Sequence, residues 1–279
     1  MSAPIGVFDS GIGGLSILQA LRAEMPQEHF VYIADSGHAP YGERDTAHVM
    51  ARARALAGYL VSRNVKALVI ACNTATAAAI HRLREEHPGL ALIGVEPALK
   101  PAALLSKTGH IGVMATRSLL GSAKFQSLLA AQAGQAKFTL QPCDGLATAI
   151  EHAAATLDDS KIIALCALHT SGKSLFGTET GQIDTVVLGC THYPFAREHL
   201  RALLGPNVQF IDNGEAVARQ TRRVVATSAQ TTAAVGSISL LTTGNPELLR
   251  MAAQRWLGLE TGVDLLCVEQ QLAPVFIGI

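Results

Sequence analysis

Two short segments that resemble each other constrain the fold of this chain most strongly. Residues 68–74 (LVIACNT) and residues 186–192 (VVLGCTH) are both apolar runs that end in a cysteine and continue with small polar residues. Runs this short and apolar are typical of strands buried on both faces of a parallel sheet. Because the residues after each cysteine have a helical pattern, we expect each thiol to lie where a strand ends and a helix begins. Open α/β sheets bind their ligands at that edge.

The resemblance extends to two further pairs of segments. Residues 5–9 (IGVFD) are similar to residues 111–115 (IGVMA), and apolar segments around Ile93 and Ile211 follow the two cysteines at the same distance. Three matched pairs of segments in the same order predict an internal duplication. The chain would then contain two α/β units of similar plan, each presenting one cysteine.

The alternation of strand and helix patterns predicts two similar parallel-sheet α/β domains related by pseudo-symmetry, with the active site in the cleft between them. We expect the second domain, residues 97–210, to be inserted into the first, which comprises residues 1–96 and 211–279. The elements predicted in the later part of the chain are a helix from Ser160, a helix from Gly214, a strand over 238–241, a helix from Pro246 and a final extended segment over 275–279.

The composition argues against several classes of partner. The 22 basic and 22 acidic residues are scattered, without a basic stripe interleaved with aromatic residues, so we expect no nucleic acid partner. No apolar run approaches the roughly 18 residues of a membrane span. The chain enters a strand almost at once, so we expect no signal peptide. The 5 cysteines are widely spread and include no CxxC pair, so we expect no disulfide framework and a cytoplasmic location.

The glycine-rich segment over residues 11–14 invites comparison with a dinucleotide-binding loop. That fingerprint requires a further glycine where this chain has Ser16, and an acidic residue about twenty positions later, from which Asp35 is displaced. A phosphate loop over residues 172–174 is also rejected, because Ala167 occupies the position of the required glycine. The N–H groups of the first loop are suited instead to hold a carboxylate.

Cysteines at the two strand ends have several possible roles. A zinc site is not favoured, because the chain lacks ligands at short fixed spacings. A lone cysteine is most often a small buried apolar residue. At Cys72 and Cys190 the polar residues that follow favour a functional site instead, and the start of a helix is expected to lower the pKa of each thiol. The cysteines for which we expect simple burial are Cys143, Cys166 and Cys267.

Two thiols that face each other across a cleft suit one type of reaction in particular. One thiolate removes a proton from a carbon atom, and the other thiol delivers a proton to the opposite face, which inverts the stereocentre. A reversible inversion needs such near-symmetry, because either enantiomer must be able to react. The chain has no recognisable lysine site for pyridoxal phosphate, so we expect no cofactor. The lack of ligands at short fixed spacings also leads us to expect no metal. His192, beside the second thiol, is a candidate partner in proton transfer.

The motifs around these residues resemble those of the glutamate racemases in the aspartate/glutamate racemase superfamily. The resemblance runs nearly from end to end, although Asn213 stands where the family more often has serine and Phe195 where leucine is usual. Neither position touches the proposed chemistry. The motifs that carry the resemblance are residues 6–11 (GVFDSG), 40–42 (PYG), 71–75 (ACNTA), 95–97 (VEP), 188–194 (LGCTHYP) and 211–214 (IDNG).

The resemblance implies an isomerase, independent of pyridoxal phosphate, that interconverts L- and D-glutamate. It also implies a cytoplasmic homodimer that supplies D-glutamate for peptidoglycan, and therefore for cell wall biogenesis and cell shape. Cys72 and Cys190 would be the two acid/base residues, with Asp9 assisting the first and His192 the second. Glu151 resembles a family glutamate near the second cysteine. The residues implied to contact the substrate are Asp9, Ser10, Pro40, Tyr41, Gly42, Asn73, Thr74, Thr191 and His192.

Three alternatives remain open at this point. The same fold and cysteines would serve a racemase that acts on aspartate or another amino acid. A small-ligand binding protein with a decayed site would also retain the pattern. A redox or zinc protein could use the cysteine pair in a different way.

Overall fold

Two separate parallel β-sheets, flanked by helices, form the computed structural model of the chain, which describes residues 3–172, 175–225 and 235–268. The strands of the first sheet are β1 (Ile5–Asp9), β2 (Phe30–Ala34), β3 (Ala67–Ile70), β4 (Ala91–Gly94), β9 (Ile238–Thr242) and β10 (Val263–Leu265). The strands of the second sheet are β5 (His110–Ala115), β6 (Lys137–Pro142), β7 (Thr185–Leu188) and β8 (Gln209–Ile211).

The strand order is repeated between the two sheets. The first sheet has the order β10-β9-β2-β1-β3-β4, and the second has the order β6-β5-β7-β8. The series β2-β1-β3-β4 therefore corresponds strand for strand to β6-β5-β7-β8, and every pair in both series is parallel. The predicted fold class is confirmed, and the repeated order agrees with an internal duplication. Within the described residues, β9 and β10 have no counterpart in the second sheet.

The strands that precede the two cysteines, β3 and β7, are buried along their whole length. Neighbouring residues of the central strands enter separate apolar clusters, because side chains alternate between the faces of a sheet. Val7 and Phe8 of β1 lie in different clusters, and so do Val113 and Met114 of β5. Each sheet is therefore covered on both faces, as the continuous apolar runs predicted.

Helices cover both sheets, and the predicted helices from Ser160, Gly214 and Pro246 are confirmed. The last of these shows clear sequence signals: the Asn245 side chain caps its start, Pro246 occupies its first turn and Gly258 ends it in a left-handed conformation. The helices are α1 (Leu15–Glu24), α2 (Thr46–Ser62), α3 (Asn73–Glu86), α4 (Leu99–Leu105), α5 (Arg117–Gly121), α6 (Ala123–Ala130), α7 (Leu146–Thr156), α8 (Ser160–His169), α9 (Arg197–Leu204), α10 (Gly214–Val225) and α11 (Pro246–Leu257).

The chain passes from the first sheet to the second after β4 and returns after β8. Because β8 ends at Ile211, the second sheet extends slightly beyond the boundary predicted at residue 210. Phe195 and Trp256 stack with their ring centroids 4.1 Å apart, and both pack against apolar clusters of the two sheets. The predicted extended segment over 275–279 lies outside the described residues. In the described part of the chain, no helix is both long and apolar enough to cross a membrane.

Candidate active site

Cys72 and Cys190 lie at equivalent positions of the two sheets. Cys72 follows β3 and immediately precedes α3, and Cys190 follows β7 ahead of a 3₁₀ turn over Tyr193–Ala196. The relative exposures of the two residues are only 5% and 8%, yet both border one cavity. The ends of equivalent strands thus bring the two thiols to a single site.

Loops from both sheets form the walls of this cavity, which is partly open to solvent. Asp9 and Glu151 lie behind the wall and contact residues that border the cavity. The predicted site residues that border it are Ser10, Pro40, Tyr41, Gly42, Cys72, Asn73, Thr74, Cys190, Thr191 and His192.

A chain of three polar side chains leads to Cys190. Glu151 Oε1 lies 2.7 Å from His192 Nε2, and His192 Nδ1 lies 3.6 Å from Cys190 Sγ. The same carboxylate oxygen accepts a hydrogen bond from the N–H of Ile12 at 2.7 Å. Since Ile12 follows β1 and Glu151 lies on α7, both halves of the molecule hold this carboxylate. The arrangement can move a proton between the imidazole and Cys190, with Glu151 orienting the ring.

These contacts also determine the charge of His192. Burial lowers the pKa of His192, but the hydrogen bonds to Cys190 and Glu151 outweigh burial, so the pKa lies well above its usual value. The ring is therefore an imidazolium at neutral pH. A buried cation at hydrogen-bonding distance from a sulfur atom is suited to donate a proton to it.

Cys72 has a different environment. Its Sγ caps α3 by accepting a hydrogen bond from the N–H of Ala75 at 3.4 Å, and it lies 3.9 Å from Ser10 Oγ. Burial, together with the nearby carboxylate of Asp9, raises the pKa of Cys72 well above its usual value. The predicted lowering of this pKa is therefore wrong, because burial opposes the thiolate more strongly than the helix start favours it. Cys72 rests as a neutral thiol.

Asp9 connects the two halves behind the cavity wall. Its Oδ2 accepts hydrogen bonds from the N–H of Gly14 at 2.6 Å and from Thr191 Oγ1 at 3.3 Å. Its Oδ1 is buried and has no hydrogen-bond partner among the described residues. Burial raises the pKa of Asp9, although the charge of His192 opposes this effect. Asp9 therefore holds the loop of the second cysteine and influences the first cysteine through its charge.

Steric contacts explain the glycine-rich loop over residues 11–14. A Cβ atom at Gly11 would lie 1.9 Å from Glu151 Oε1, and one at Gly13 would lie 2.3 Å from His192 Nδ1. The glycines therefore allow the backbone to approach the carboxylate and the imidazole closely. The loop N–H groups predicted to hold a carboxylate bind side chains of the protein itself: the N–H of Ile12 binds Glu151, and that of Gly14 binds Asp9.

Asn73 carries polar atoms that lack partners. Both of its side-chain amide atoms, Nδ2 and Oδ1, are buried and form no hydrogen bond with the described residues, and Asn73 borders the cavity. Because buried amides normally have partners, a ligand with both acceptor and donor groups would complete this one. The neighbouring Thr74 Oγ1 lies 3.2 Å from Thr116 Oγ1, which comes from the second sheet.

Several residues that border the cavity were not predicted from the sequence. The duplication carried a signal for one of them, because Thr116 follows β5 as Ser10 follows β1. Arg117 and Asp144 form an exposed ion pair beside the cavity. The residues not predicted are Glu43, Thr116, Arg117, Cys143, Asp144, Gly145, Ala147, Thr148, Gly189 and Tyr193, the last two within the motif over residues 188–194.

The three other cysteines differ from one another. Cys166 is buried, as predicted, and Cys143 is buried but also borders the cavity. Cys267 is exposed, so its predicted burial is wrong; it follows β10, at the outer edge of the first sheet. Within residues 3–172, 175–225 and 235–268, no group of three or more His, Cys, Asp and Glu side chains could hold a metal ion.

Known proteins with similar sequences are racemases. The family model described as Asp/Glu/Hydantoin racemase matches residues 15–221. The glutamate racemase of Pseudomonas paraeruginosa is 45% identical over 229 residues, which cover 82% of this chain and 83% of that protein. The glutamate racemase of Ralstonia nicotianae is 44% identical over 248 residues, which cover 87% of this chain and 85% of that protein.

Solved structures with similar folds are also racemases. Escherichia coli glutamate racemase, in complex with L-glutamate and the activator UDP-MurNAc-Ala, matches with a TM-score of 0.83 and 30% identity over 96% of this chain and 100% of that chain. Francisella tularensis glutamate racemase, in complex with D-glutamate, matches with a TM-score of 0.79 and 26% identity over 96% of this chain and 98% of that chain.

The fold and the cavity together define a duplicated α/β enzyme with a paired-thiol site. The matching family model and the similar sequences identify this enzyme further. The chain belongs to the Asp/Glu/Hydantoin racemase family.

Proposed function

We propose that the chain is a glutamate racemase, which interconverts L- and D-glutamate without a cofactor and supplies D-glutamate for peptidoglycan synthesis. The observation that carries this proposal is that Cys72 and Cys190, one from each sheet, border a single cavity. Glutamate as the substrate is supported by the similar glutamate racemases, including the Escherichia coli enzyme in complex with L-glutamate.

In the proposed reaction, the two sulfur atoms act on opposite faces of the α-carbon. The thiolate of one cysteine takes the α-proton, and the resulting carbanion takes a proton from the thiol of the other cysteine. The first sulfur is then a thiol and the second a thiolate, so protons and charge balance. The reverse direction uses the same groups with their roles exchanged. We assign Asp9 as the residue that assists Cys72, and His192 as the residue that assists Cys190.

The resting thiol of Cys72 requires an activating step. Its raised pKa means that it has to pass its proton to another group before it can act as a base, and we assign the buried carboxylate of Asp9, whose Oδ1 has no hydrogen-bond partner among the described residues, as the acceptor. The ammonium group of a bound amino acid brings a positive charge into this buried site, and such a charge stabilises a thiolate. Substrate binding and activation of the base are therefore coupled in this proposal.

The polar groups around the cavity suit an amino acid. Asn73 Nδ2 can donate a hydrogen bond to a substrate carboxylate, and Asn73 Oδ1 can accept one from the ammonium group. We assign the hydroxyl groups of Ser10, Thr74 and Thr191 to further polar contacts with the substrate. One wall of the cavity is formed by Pro40, Tyr41 and Gly42.

Three broader features belong to the same proposal. We assign residues 1–96 with 211–279 to one domain and residues 97–210 to the other, a division that the two separate sheets support except at Ile211, the last residue of β8. We also propose a homodimer located in the cytoplasm. Light scattering during size-exclusion chromatography tests the dimer, and a single peak at the monomer mass would refute it.

Exchange of the α-proton with solvent tests the reaction. In deuterium oxide, either enantiomer of glutamate should acquire deuterium at the α-carbon while optical rotation decays to zero. A non-catalytic binding protein would give no exchange. Parallel assays with L- and D-aspartate test the substrate, and a strong preference for aspartate would refute glutamate as the natural one.

Substitution of each cysteine tests the two-base mechanism. Cys72→Ala and Cys190→Ala should each lower the rate of racemisation by about 10²–10⁴-fold or more, because each removes a group that transfers a proton. The matched control is Cys166→Ala, which removes a buried thiol in α8 that does not border the cavity. Near-normal racemisation by either cavity variant would disprove the assignment.

A further inference from the structure

A buried ion pair lies directly behind the Tyr41 wall of the cavity. Asp35 follows β2, and Arg52 lies on α2; their relative exposures are 0% and 1%. The guanidinium group donates two hydrogen bonds to the carboxylate, from Nε at 2.9 Å and from Nη2 at 2.8 Å. Neither residue borders the cavity, and the proposed proton transfers use neither of them.

The carboxylate of Asp35 also accepts hydrogen bonds from hydroxyl groups of two other segments. The hydroxyl group of Tyr41 donates a hydrogen bond to Asp35 Oδ2. The hydroxyl group of Thr243 donates one to Asp35 Oδ1 at 2.7 Å. Burial and the carboxylate raise the pKa of Tyr41, so the phenol keeps its proton. The hydroxyl proton of Tyr41 is therefore engaged by Asp35 rather than by a ligand in the cavity.

The part of the chain that returns to the first sheet after β8 completes the cluster around Asp35 and Arg52. Thr243 follows β9, and the carbonyl group of Val268, after β10, accepts a hydrogen bond from Arg52 Nη1 at 3.1 Å. Thr243 Oγ1 also accepts a hydrogen bond from the N–H of Gly37 at 3.2 Å. The residues that follow β9 and β10 thus hold the segment that leads to Tyr41.

The segment held in this way reaches across to the other half of the molecule. A Cβ atom at Gly42 would lie 2.9 Å from the Cβ atom of Thr116, which follows β5 of the second sheet. Tyr41 and Gly42 both border the cavity. A small displacement of this segment would therefore change the shape of the cavity between the two cysteines.

Stability alone is a weak reason to bury such a pair. Removing two charges from water costs free energy that their attraction often fails to recover, and an apolar pair of similar volume is frequently as stable. A planar guanidinium group that donates two hydrogen bonds to one carboxylate does, however, fix the orientation of the two groups relative to each other. The pair is therefore better suited to fix the position of the groups attached to it.

We infer that Asp35 and Arg52 are positioning residues, which hold Tyr41 and its turn in place as the substrate-facing wall of the cavity. The inference rests on the proposed function, since the wall is proposed to contact glutamate bound in the cavity. The segment over residues 36–44 is called the wall segment below. The ion pair acts on the substrate only through this segment.

Two variants that leave the cavity lining unchanged test the inference. Arg52→Lys keeps the charge but loses the paired hydrogen bonds to Asp35. Thr243→Val removes one hydroxyl group that donates to Asp35, with little change in side-chain shape. In each variant, KM for both enantiomers of glutamate should rise about fivefold or more while kcat changes less than about twofold, because binding contacts are lost rather than proton-transfer groups. Amide hydrogen exchange of the wall segment should become faster in both.

The matched control is Arg54→Lys. Arg54 lies on the same helix, and it pairs with Glu86 nearer the surface. This variant should retain the wild-type KM and the wild-type exchange of the wall segment. Urea unfolding of each variant confirms that the folded protein is being assayed.

The outcomes separate the inference from the proposed function. If folded Arg52→Lys and Thr243→Val keep the wild-type KM, or keep the wild-type exchange of the wall segment, the positioning role is disproved. If Arg52→Lys does not fold, Thr243→Val decides alone by the same two measurements. If the wild-type protein does not racemise glutamate, the proposed function fails, and the exchange measurement decides the positioning role by itself.

Discussion

The Cys190 thiol and the carboxylate of Glu151 together raise the pKa of His192. The side chains of Glu151 and His192 meet at 2.7 Å, and this contact helps to hold the pKa of His192 well above its usual value. In the unfolded chain the pKa returns to about 6.5. The stabilisation from this contact is therefore fully present below about pH 6.5 and is lost as the pH rises through the raised pKa of the folded protein.

We expect Glu151→Gln to lower the pKa of His192, because the variant removes the negative charge that favours the imidazolium. The loss of stability above about pH 6.5 should then become smaller than in the wild type. If kcat depends on the imidazolium, its decline at alkaline pH should begin at a lower pH. Urea unfolding and kcat measured between about pH 6 and 10 check both effects.

A surface glutamate provides the control for this experiment. Glu215 on α10 is exposed and accepts a hydrogen bond from Arg219. Glu215→Gln should leave both pH profiles unchanged. If the two profiles of Glu151→Gln also match those of the wild type, Glu151 does not set the charge of His192.

At the scale of elements, the loop between β1 and α1 couples the two halves of the site. Its backbone passes so close to Glu151 and His192 that side chains at Gly11 and Gly13 would collide with them. Its sequence alone resembles a nucleotide-binding loop, because close approach to a phosphate and close approach to a carboxylate both require glycine. Only the approach of Glu151 on α7 and of His192 after β7 to this loop reveals what the backbone meets.

We expect Gly13→Ala to lower the rate of racemisation by about tenfold or more, because the added methyl group has to displace the His192 ring, and small displacements of reacting groups are costly. Steady-state kinetics with either enantiomer measures the effect. Gly58→Ala is the control: Gly58 is exposed within α2, and a Cβ atom there meets nothing within 4 Å.

The control should differ from the test variant in two ways. Gly58→Ala should leave kcat and KM unchanged and increase the free energy of unfolding by about 0.5–1 kcal/mol, since alanine favours a helix interior. A Gly13→Ala variant that remains as active as Gly58→Ala would show that His192 has more room than the structure indicates.

In the whole molecule, α11 joins the two halves on the side of Glu151. Arg255 on this helix donates hydrogen bonds to the carbonyl oxygen of Ala153 at 2.6 Å and to both carboxylate oxygens of Asp159 at 2.8 and 2.9 Å. Ala153 lies on α7, the helix that carries Glu151. The stacked rings of Phe195 and Trp256 lie in the same region. The returning chain thus stabilises the placement of α7 against the first sheet.

We expect Arg255→Met to lower the free energy of unfolding by about 1–3 kcal/mol, because a half-buried carbonyl and a carboxylate lose their donors. Arg250→Met on the same helix is the control, since Arg250 pairs with Glu247 at the surface. Exposed pairs of this kind contribute about 0–1 kcal/mol. Urea unfolding measures both variants, and equal losses would contradict a joining role for Arg255.

Much of the fold was predictable because its signals are local. Apolar runs bounded by polar residues marked β1, β3, β5 and β7, and caps and proline marked helices such as α11. The edge strand β10 was missed because it is short and only partly buried, and therefore carries no apolar run. Thr116 was missed although the duplication related it to Ser10, because its own neighbours carry no recognisable motif.

By itself, the sequence determined that two cysteines occupy equivalent strand ends of a duplicated parallel fold. That conclusion follows from local patterns, because the carboxyl ends of parallel strands share one edge of a sheet. Only the tertiary structure decided what surrounds each sulfur. Glu151 meets Ile12, and Asp35 meets Thr243, across long separations in the chain. The pKa of Cys72 rises because packing buries it, and burial depends on all the elements that pack together rather than on the residues next to it in the sequence.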